Sequence, residues 1–238
     1  MKNYVMNFFG LRAKAIFVLS SLCFAVAVWT PIHNVWAMSF TAVSVGLMIA
    51  SLGMVFKKWW ISIILLIVMV SPFCFPDKAI DREVLREAYL KELRSFEGVK
   101  YVWGGEASSG IDCSGLPRRA YRNALLSEGI KTLNGRMTRL YIKQWFYDSS
   151  AKALSESYRS FTKPVHYETT IQNSIDAKLE LGDLAVTAGG IHVIIYLGEG
   201  YWIQSDPVEG GVIIKHKSEA NFWFDDRVSL HRWSNLWI

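Results

Sequence analysis

Acidic residues are missing from the first third of this 238-residue chain, where no Asp or Glu precedes Asp77. The five basic residues of that stretch, Lys2, Arg12, Lys14, Lys57 and Lys58, equal the whole formal net charge of +5. Residues 77–238 are neutral and hold no dense Lys/Arg run, so nucleic acid is not expected as a partner. Cysteine is scarce, at three residues. Cys23 and Cys74 lie in or beside apolar runs and read as small hydrophobes. Cys113 has no second cysteine within 77–238, which excludes a disulfide inside that part. His33, His166, His216 and His231 show no ligand spacing with Cys or acids, so neither a metal nor a cofactor is expected. There is no internal repeat and no low-complexity linker.

What the front of the chain has instead is hydrophobic length. Residues 15–32, 36–56 and 59–75 contain no charged side chain. Each is close to the ~20 residues a helix needs to cross a bilayer. They are too many and too long for a cleaved signal peptide. The expectation is a membrane anchor over residues 1–76 with three transmembrane helices; two helices plus a re-entrant or interfacial piece is the alternative. Lys2, Arg12 and Lys14 before the first run, and Lys57-Lys58 before the third, place those ends in the cytoplasm by the positive-inside rule. Everything after Asp77 is then on the outer face.

Residues 77–238 read as one domain. Leu85, Tyr89, Leu93 and Phe96 recur at helical spacing over 81–97, with Asp81 as N-cap and Gly98 as stop. A β-prone stretch Lys100–Trp103 and Gly104-Gly105 lead to a second helix from about Cys113 to Leu126, capped by Asp112. Pro117 would be its fifth residue and lacks the N–H that would bond back to Cys113. Residues 127–178 are less legible: Met137–Tyr147 and Ala151–Tyr158 suggest helices, and Lys163-Pro164 breaks any element. A connection of this length predicts a lid or groove wall. Strands follow at 182–187, 191–197, 201–205, 212–215 and 227–233, with 198–200 as a hairpin turn. Helices followed by consecutive antiparallel strands predict an α+β domain.

Cys113 is the residue that carries chemistry. A thiol at a helix N-terminus meets unpaired N–H groups and the positive end of the helix dipole, which predicts a lowered pKa and a reactive thiolate. His192 opens an apolar strand, a rigid mount for a base. The plain alternative is a buried thiol and an unrelated strand histidine.

Four blocks occur in order: Tyr101-x-Trp103-Gly104-Gly105, Asp112-Cys113-Ser114-Gly115-Leu116, Gly182-Asp183-Leu184 and His192-Val-x-Ile-Tyr-Leu-Gly198. Together they resemble the NlpC family of papain-like cell-wall cysteine peptidases over roughly residues 81–233. The resemblance implies a papain-like fold of helices packed on an antiparallel sheet. It implies Cys113 as nucleophile and His192 as base. The polar residue that orients the imidazole falls at Gln204, where the family more usually has His. Asp206 is the alternative orienter, on the same strand face, and a three-residue turn would place it opposite His192. Tyr101 matches a tyrosine that assists the oxyanion or holds substrate, or serves as a core aromatic. Asp112 and Ser114 match substrate-facing positions, although a carboxylate there also caps a helix. Arg139 stands roughly where the family often has an arginine. Pro117 and Ile194 depart from the pattern, the latter where a glycine is common behind the histidine.

The expected function is a membrane-anchored cysteine peptidase hydrolysing peptidoglycan stem or cross-link peptides, the family's usual target being the bond from D-glutamate to the diamino acid. Its partners would be those peptides and the lipid bilayer. The expected location is the cytoplasmic membrane of a bacterium, with the catalytic domain on the extracytoplasmic side. The alternatives are a catalytically weak wall-binding protein and a thiol hydrolase or acyltransferase on another amide or ester.

Overall fold

A computed structural model describes residues 2–32, 34–147, 150–173 and 179–237. His33 lies outside the described residues. Helices α1 (Lys2–Trp29), α2 (Val35–Val55) and α3 (Trp59–Val70) come first. Two of them are long and apolar enough to cross a membrane, through Leu11–Trp29 and Trp36–Val55. The third apolar piece is shorter, Trp59–Cys74, because Pro72 tightens the helix into a 3₁₀ turn at Ser71–Cys74. Three full-length helical spans therefore do not form: the chain makes two long helices and one short one. None of the residues of α3 is buried, and most of the apolar window of α1 is exposed, so these helices are not packed into the domain's core.

Beyond Asp77 the domain is α+β. Helix α4 (Arg82–Ser95) starts at Asp81, whose side chain accepts from the N–H groups of Glu83 and Val84. It ends before Gly98, at φ +78°. The short hairpin β1 (Glu106–Ala107) and β2 (Gly110–Ile111) precedes α5 (Gly115–Lys131), α6 (Gly135–Phe146) and α7 (Ala151–Ser155). Then come β3 (Thr162–Thr169), β4 (Leu184–Thr187), β5 (Val193–Gly198), β6 (Tyr201–Asp206), β7 (Gly211–His216) and β8 (Val228–Trp233). The last six strands form one antiparallel sheet in the order β3-β8-β4-β5-β6-β7.

Strand alternation splits the interior in two. Leu184, Val186, Val193, Ile195 and Ile203 face α4 and α5, packing on Leu85, Tyr89, Leu93, Leu116 and Tyr121. Trp233 stacks on Tyr121 at 4.4 Å between ring centroids. Ala185, Ile194, Trp202 and Leu230 face the other way, against Ile171 and Phe224. Ile194 is thus a core residue of that second layer, its bulk taken up by Trp202 and Phe224.

Three elements differ from the sequence reading. Lys163-Pro164 does not break an element but lies within β3, paired with Arg232 and His231. β3 is an edge strand, where a missing N–H need not leave a ladder bond unmade. The helix expected over Ala151–Tyr158 stops at Ser155, and a 3₁₀ turn follows in which Arg159 takes φ 52°. The second helix begins regularly at Gly115 rather than Cys113. Leu116 N–H still reaches the Asp112 carbonyl at 3.0 Å, but Pro117 has no N–H to offer Cys113, and the next bond, Arg118 to Ser114, is stretched to 3.4 Å.

Two buried ion clusters brace this frame. Asp183 accepts from Arg232 Nε at 2.7 Å and from Nη2 at 2.9 Å, while Glu180 pairs with both Arg232 and Arg86. This ties β4 to β8 and α4. Glu106 of β1 is held by Arg118 and Arg122 of α5, fixing the hairpin to the helix just beyond Cys113.

Candidate active site

The start of α5 is a tight backbone crossing organised by one carboxylate. Asp112 accepts from the N–H of Gly115 at 2.5 Å, from the hydroxyl of Ser114 at 3.1 Å and from the N–H of Gly104 at 2.9 Å. It caps the helix turn and pins the glycine loop to it in one contact set. A Cβ on Gly115 would collide with the Gly105 carbonyl oxygen, so only glycine permits this approach.

That crossing presents Cys113 to the backbone at the head of β5. The thiol donates to the carbonyl of Ile191 at 3.8 Å, and the Val193 N–H also acts on the sulfur. The residues on both sides of His192 therefore touch it. Burial pushes the Cys113 thiol up to about 12, with the nearby Asp112 carboxylate adding to the rise and the backbone N–H groups of Val193, Ser114 and Cys113 only partly opposing it. The lowered pKa expected from a helix N-terminus does not occur. The regular helix starts two residues later, and Cys113 is buried, at 7% exposure.

His192 is held from three directions. Thr187 accepts the His192 N–H with its hydroxyl at 2.9 Å and donates its own N–H to the His192 carbonyl at 3.1 Å. Trp223 stacks on the ring at 4.2 Å, 17° from parallel. Gln204 places its Oε1 2.7 Å from Nε2. An amide oxygen can only accept, so Nε2 carries the hydrogen and the Nδ1 lone pair is the one available for a proton. Burial lowers His192 to about 4, against the Gln204 hydrogen bond and the more distant Asp206, both of which favour the imidazolium. At neutral pH Cys113 is a thiol and His192 a neutral imidazole.

Asp206 does not reach the imidazole in this arrangement. Its Oδ1 accepts from the Val208 N–H at 2.7 Å and the Trp223 indole at 3.3 Å, and its Oδ2 from the Asn221 amide at 3.0 Å. Burial would raise this carboxyl, but those hydrogen bonds outweigh it and hold it below the usual range. Asp206 thus fastens the β6–β7 turn and the Trp223 indole, and touches the histidine through that ring.

Tyr101, Asp112, Cys113 and Ser114 line one cavity of about 230 Å³, together with Trp103 and Arg118. Its far wall is Ser150 and Ala151 at the start of α7, which crosses so close to Gly190 that a Cβ there would meet the Lys152 backbone. The long 127–178 connection therefore supplies a groove wall. Arg139 lies elsewhere, donating to the carbonyls of Phe73 at 2.6 Å and Phe75 at 3.2 Å and pairing with Asp77. Trp223 acquires its contact with His192 only when a loop distant in sequence folds back, whereas Thr187 lies five residues before the histidine across the β4–β5 turn, a local pairing the sequence reading does not single out. Among the described residues no group of three His, Cys, Asp or Glu side chains converges on a metal position.

No curated protein matches the chain in sequence. Among solved structures it is similar to an NlpC/P60 family protein from Bacillus cereus ATCC 10987 (19% identity, TM-score 0.40, 67% of this chain and 41% of that one). It is also similar to the peptidoglycan hydrolase RipB from Mycobacterium tuberculosis (20%, 0.39, 67% and 70%) and to the NlpC/p60 domain of peptidoglycan hydrolase SagA (22%, 0.37, 61% and 97%). The chain spans less than half the length of the first of these. The NlpC/P60 family model matches residues 98–232, which runs from the end of α4 to the end of β8 and covers more than half of the chain. On that match the chain belongs to the NlpC/P60 family.

Proposed function

We propose that this protein is a membrane-anchored cysteine peptidase that hydrolyses amide bonds in the peptides of peptidoglycan. The observation that carries the reading is the buried His192 ring, with its Nε2 hydrogen taken by Gln204, set among backbone groups that touch the Cys113 thiol, in a chain of this family. Attack begins from the neutral pair. As Sγ bonds to the amide carbonyl carbon, His192 Nδ1 accepts the thiol proton, and the carbonyl π electrons move to oxygen. The Cys113 N–H and the Tyr101 hydroxyl are the donors for that oxyanion. Collapse breaks the C–N bond, and the imidazolium gives its proton to the leaving amine. Water, deprotonated by His192, then hydrolyses the thioester and restores the thiol. Gln204 keeps the ring in the required tautomer but adds no negative charge to stabilise the imidazolium.

The anchor supports an extracytoplasmic setting. Residue 31 of the α1–α2 loop accepts the Glu106 N–H at 2.8 Å, and Ile32 bridges to Gly105. The end of the anchor docks on α6, where Pro72 and Pro76 accept from Thr138 and Gly135. Both ends thus lie on the domain's side, so α3 must return across the bilayer. α3 with its 3₁₀ turn reaches about 26 Å, against a hydrocarbon core of roughly 30 Å, a gap that local thinning absorbs. With Lys57-Lys58 in the cytoplasm, that side is the outer one.

The test is incubation of the detergent-solubilised full chain with peptidoglycan fragments. New amine termini are expected, and Cys113→Ala should abolish them while leaving fragment binding. Fragments bound by the wild-type chain but never cleaved would reject the peptidase.

A further inference from the structure

The anchor helices do not close tightly on the domain. Between α2 and α3 on one side and α5 and α6 on the other lies a cleft of about 880 Å³. Val45, Ile49, Ile63 and Leu66 form its helix side, and Ile142 lines the domain side. It runs along α2 from Thr41 to Ala50, about 13 Å at 1.5 Å per residue. Its domain end carries Tyr141, Trp145 and one charge, Arg119.

Arg119 differs from the arginines beside it. Arg118 and Arg122 share the Glu106 carboxylate. Among the described residues, no hydrogen bond or ion pair engages Arg119, although its side chain is partly buried. Glu106 and Glu92 act on Arg119 from a distance, but neither pairs with it, so its guanidinium lines the cleft without a direct acidic partner. A second cavity of about 160 Å³ shares Thr41, Arg119 and Trp145 with the cleft and is lined further by Thr30 and Glu106. A partly desolvated guanidinium is costly without an anion, and its planar fork suits phosphate. Tyr and Trp mark the headgroup level of a bilayer.

We propose that this cleft binds an anionic phospholipid, one apolar chain lying along α2 and α3 and the phosphate, uncompensated by a headgroup cation, on Arg119. The proposal rests on the reading that α1–α3 lie in a bilayer. Apolar walls over most of the length favour a lipid over free phosphate or a peptide. The bound lipid would fill the gap between anchor and domain and fix the domain's height over the membrane.

The full chain, purified in detergent and returned to bilayers of equal phosphatidylglycerol and phosphatidylcholine, tests this by native mass spectrometry. The wild-type chain should retain phosphatidylglycerol over phosphatidylcholine by roughly fivefold. Arg119→Gln should bring the two to parity, and Arg119→Lys should keep the preference. Gly46 lines the cleft with open space where its side chain would be, so Gly46→Leu should lower retention of both lipids without a clash. Equal retention by the wild-type chain, or an undiminished preference in Arg119→Gln, would overturn the proposal. So would displacement of the lipid by millimolar inorganic phosphate. A chain that stays in solution without detergent defeats the membrane reading and this proposal with it; a chain that needs detergent but shows no preference defeats this proposal alone.

Discussion

Two groups of buried polar side chains lie at opposite ends of the β4–β5 pair, and they are built to opposite rules. Around Asp183, charges meet charges: Arg232 forks onto the carboxylate, and Glu180 bridges to Arg86. Around His192 no formal charge touches the ring, and capacity is left over. The thiol makes one weak hydrogen bond, and Gln204 Nε2 has no partner. A cluster of paired ions resists change, because removing one ion strands the other. An unsaturated neutral one is ready to exchange protons with something that enters. The difference separates the side chains that hold this fold from those proposed to act.

That contrast can be broken at each end. The largest effect is expected at the ion cluster: Asp183→Ala should cost roughly 3–5 kcal/mol by leaving the Arg232 Nε and Nη2 donors buried without their acceptor, read as a fall in the denaturation midpoint. Intact stability would mean that solvent reaches the arginine. Next is Gln204→Ala, which frees the imidazole to rotate and change tautomer. It should lower kcat about 100-fold with little change in KM. Asp206→Asn should cost less in turnover, because the lost charge serves the β6–β7 turn; a larger loss than for Gln204→Ala would transfer the orienting role to Asp206.

The pH responses are smaller and sharpen the same comparison. His192 and His231 are both lowered to about 4 by burial. An unfolded histidine takes up its proton near 6.5, so between there and about 4 the unfolded state binds more protons than the folded one. Stability should be flat above that window and fall as pH drops through it, by up to about 1.4 kcal/mol per pH unit for each ring. His192→Gln should reduce the slope. Alkylation of Cys113 by iodoacetamide should be slow at pH 7 and rise about tenfold per pH unit above it, since burial holds the thiol near 12. A plateau reached near pH 7 would show a thiolate already formed.

Much of the fold is legible in sequence because it is local. The 3.6-residue recurrence of Leu85, Tyr89 and Leu93 produces α4, and Asp81 and Gly98 bound it where expected. The strand run from Leu184 to Trp233 follows from β-prone residues and glycine turns. The misses are places where a neighbour overrides the local preference. Pro164 breaks chains in general, but in the edge strand β3 it is tolerated beside a shift in register between Pro164 and His166. α3 was read by apolar length, yet Pro72 shortens the helix inside the apolar run. At the candidate site, residue type and order point to Cys113 and His192, and the family resemblance to Gln204, but the lowered pKa expected of Cys113 does not hold, because burial outweighs the helix terminus at the thiol.

By itself the sequence determined the neutral domain and charge-poor front, the α+β order of elements and the four blocks that mark the family. Each is a matter of composition or short spacing. Only the tertiary structure decided that Gln204 rather than Asp206 faces the imidazole, that Trp223 covers it, and that Arg119 ends beside an apolar cleft. Those contacts join residues from separate loops and helices, and their geometry depends on how the sheet, helices and anchor pack together.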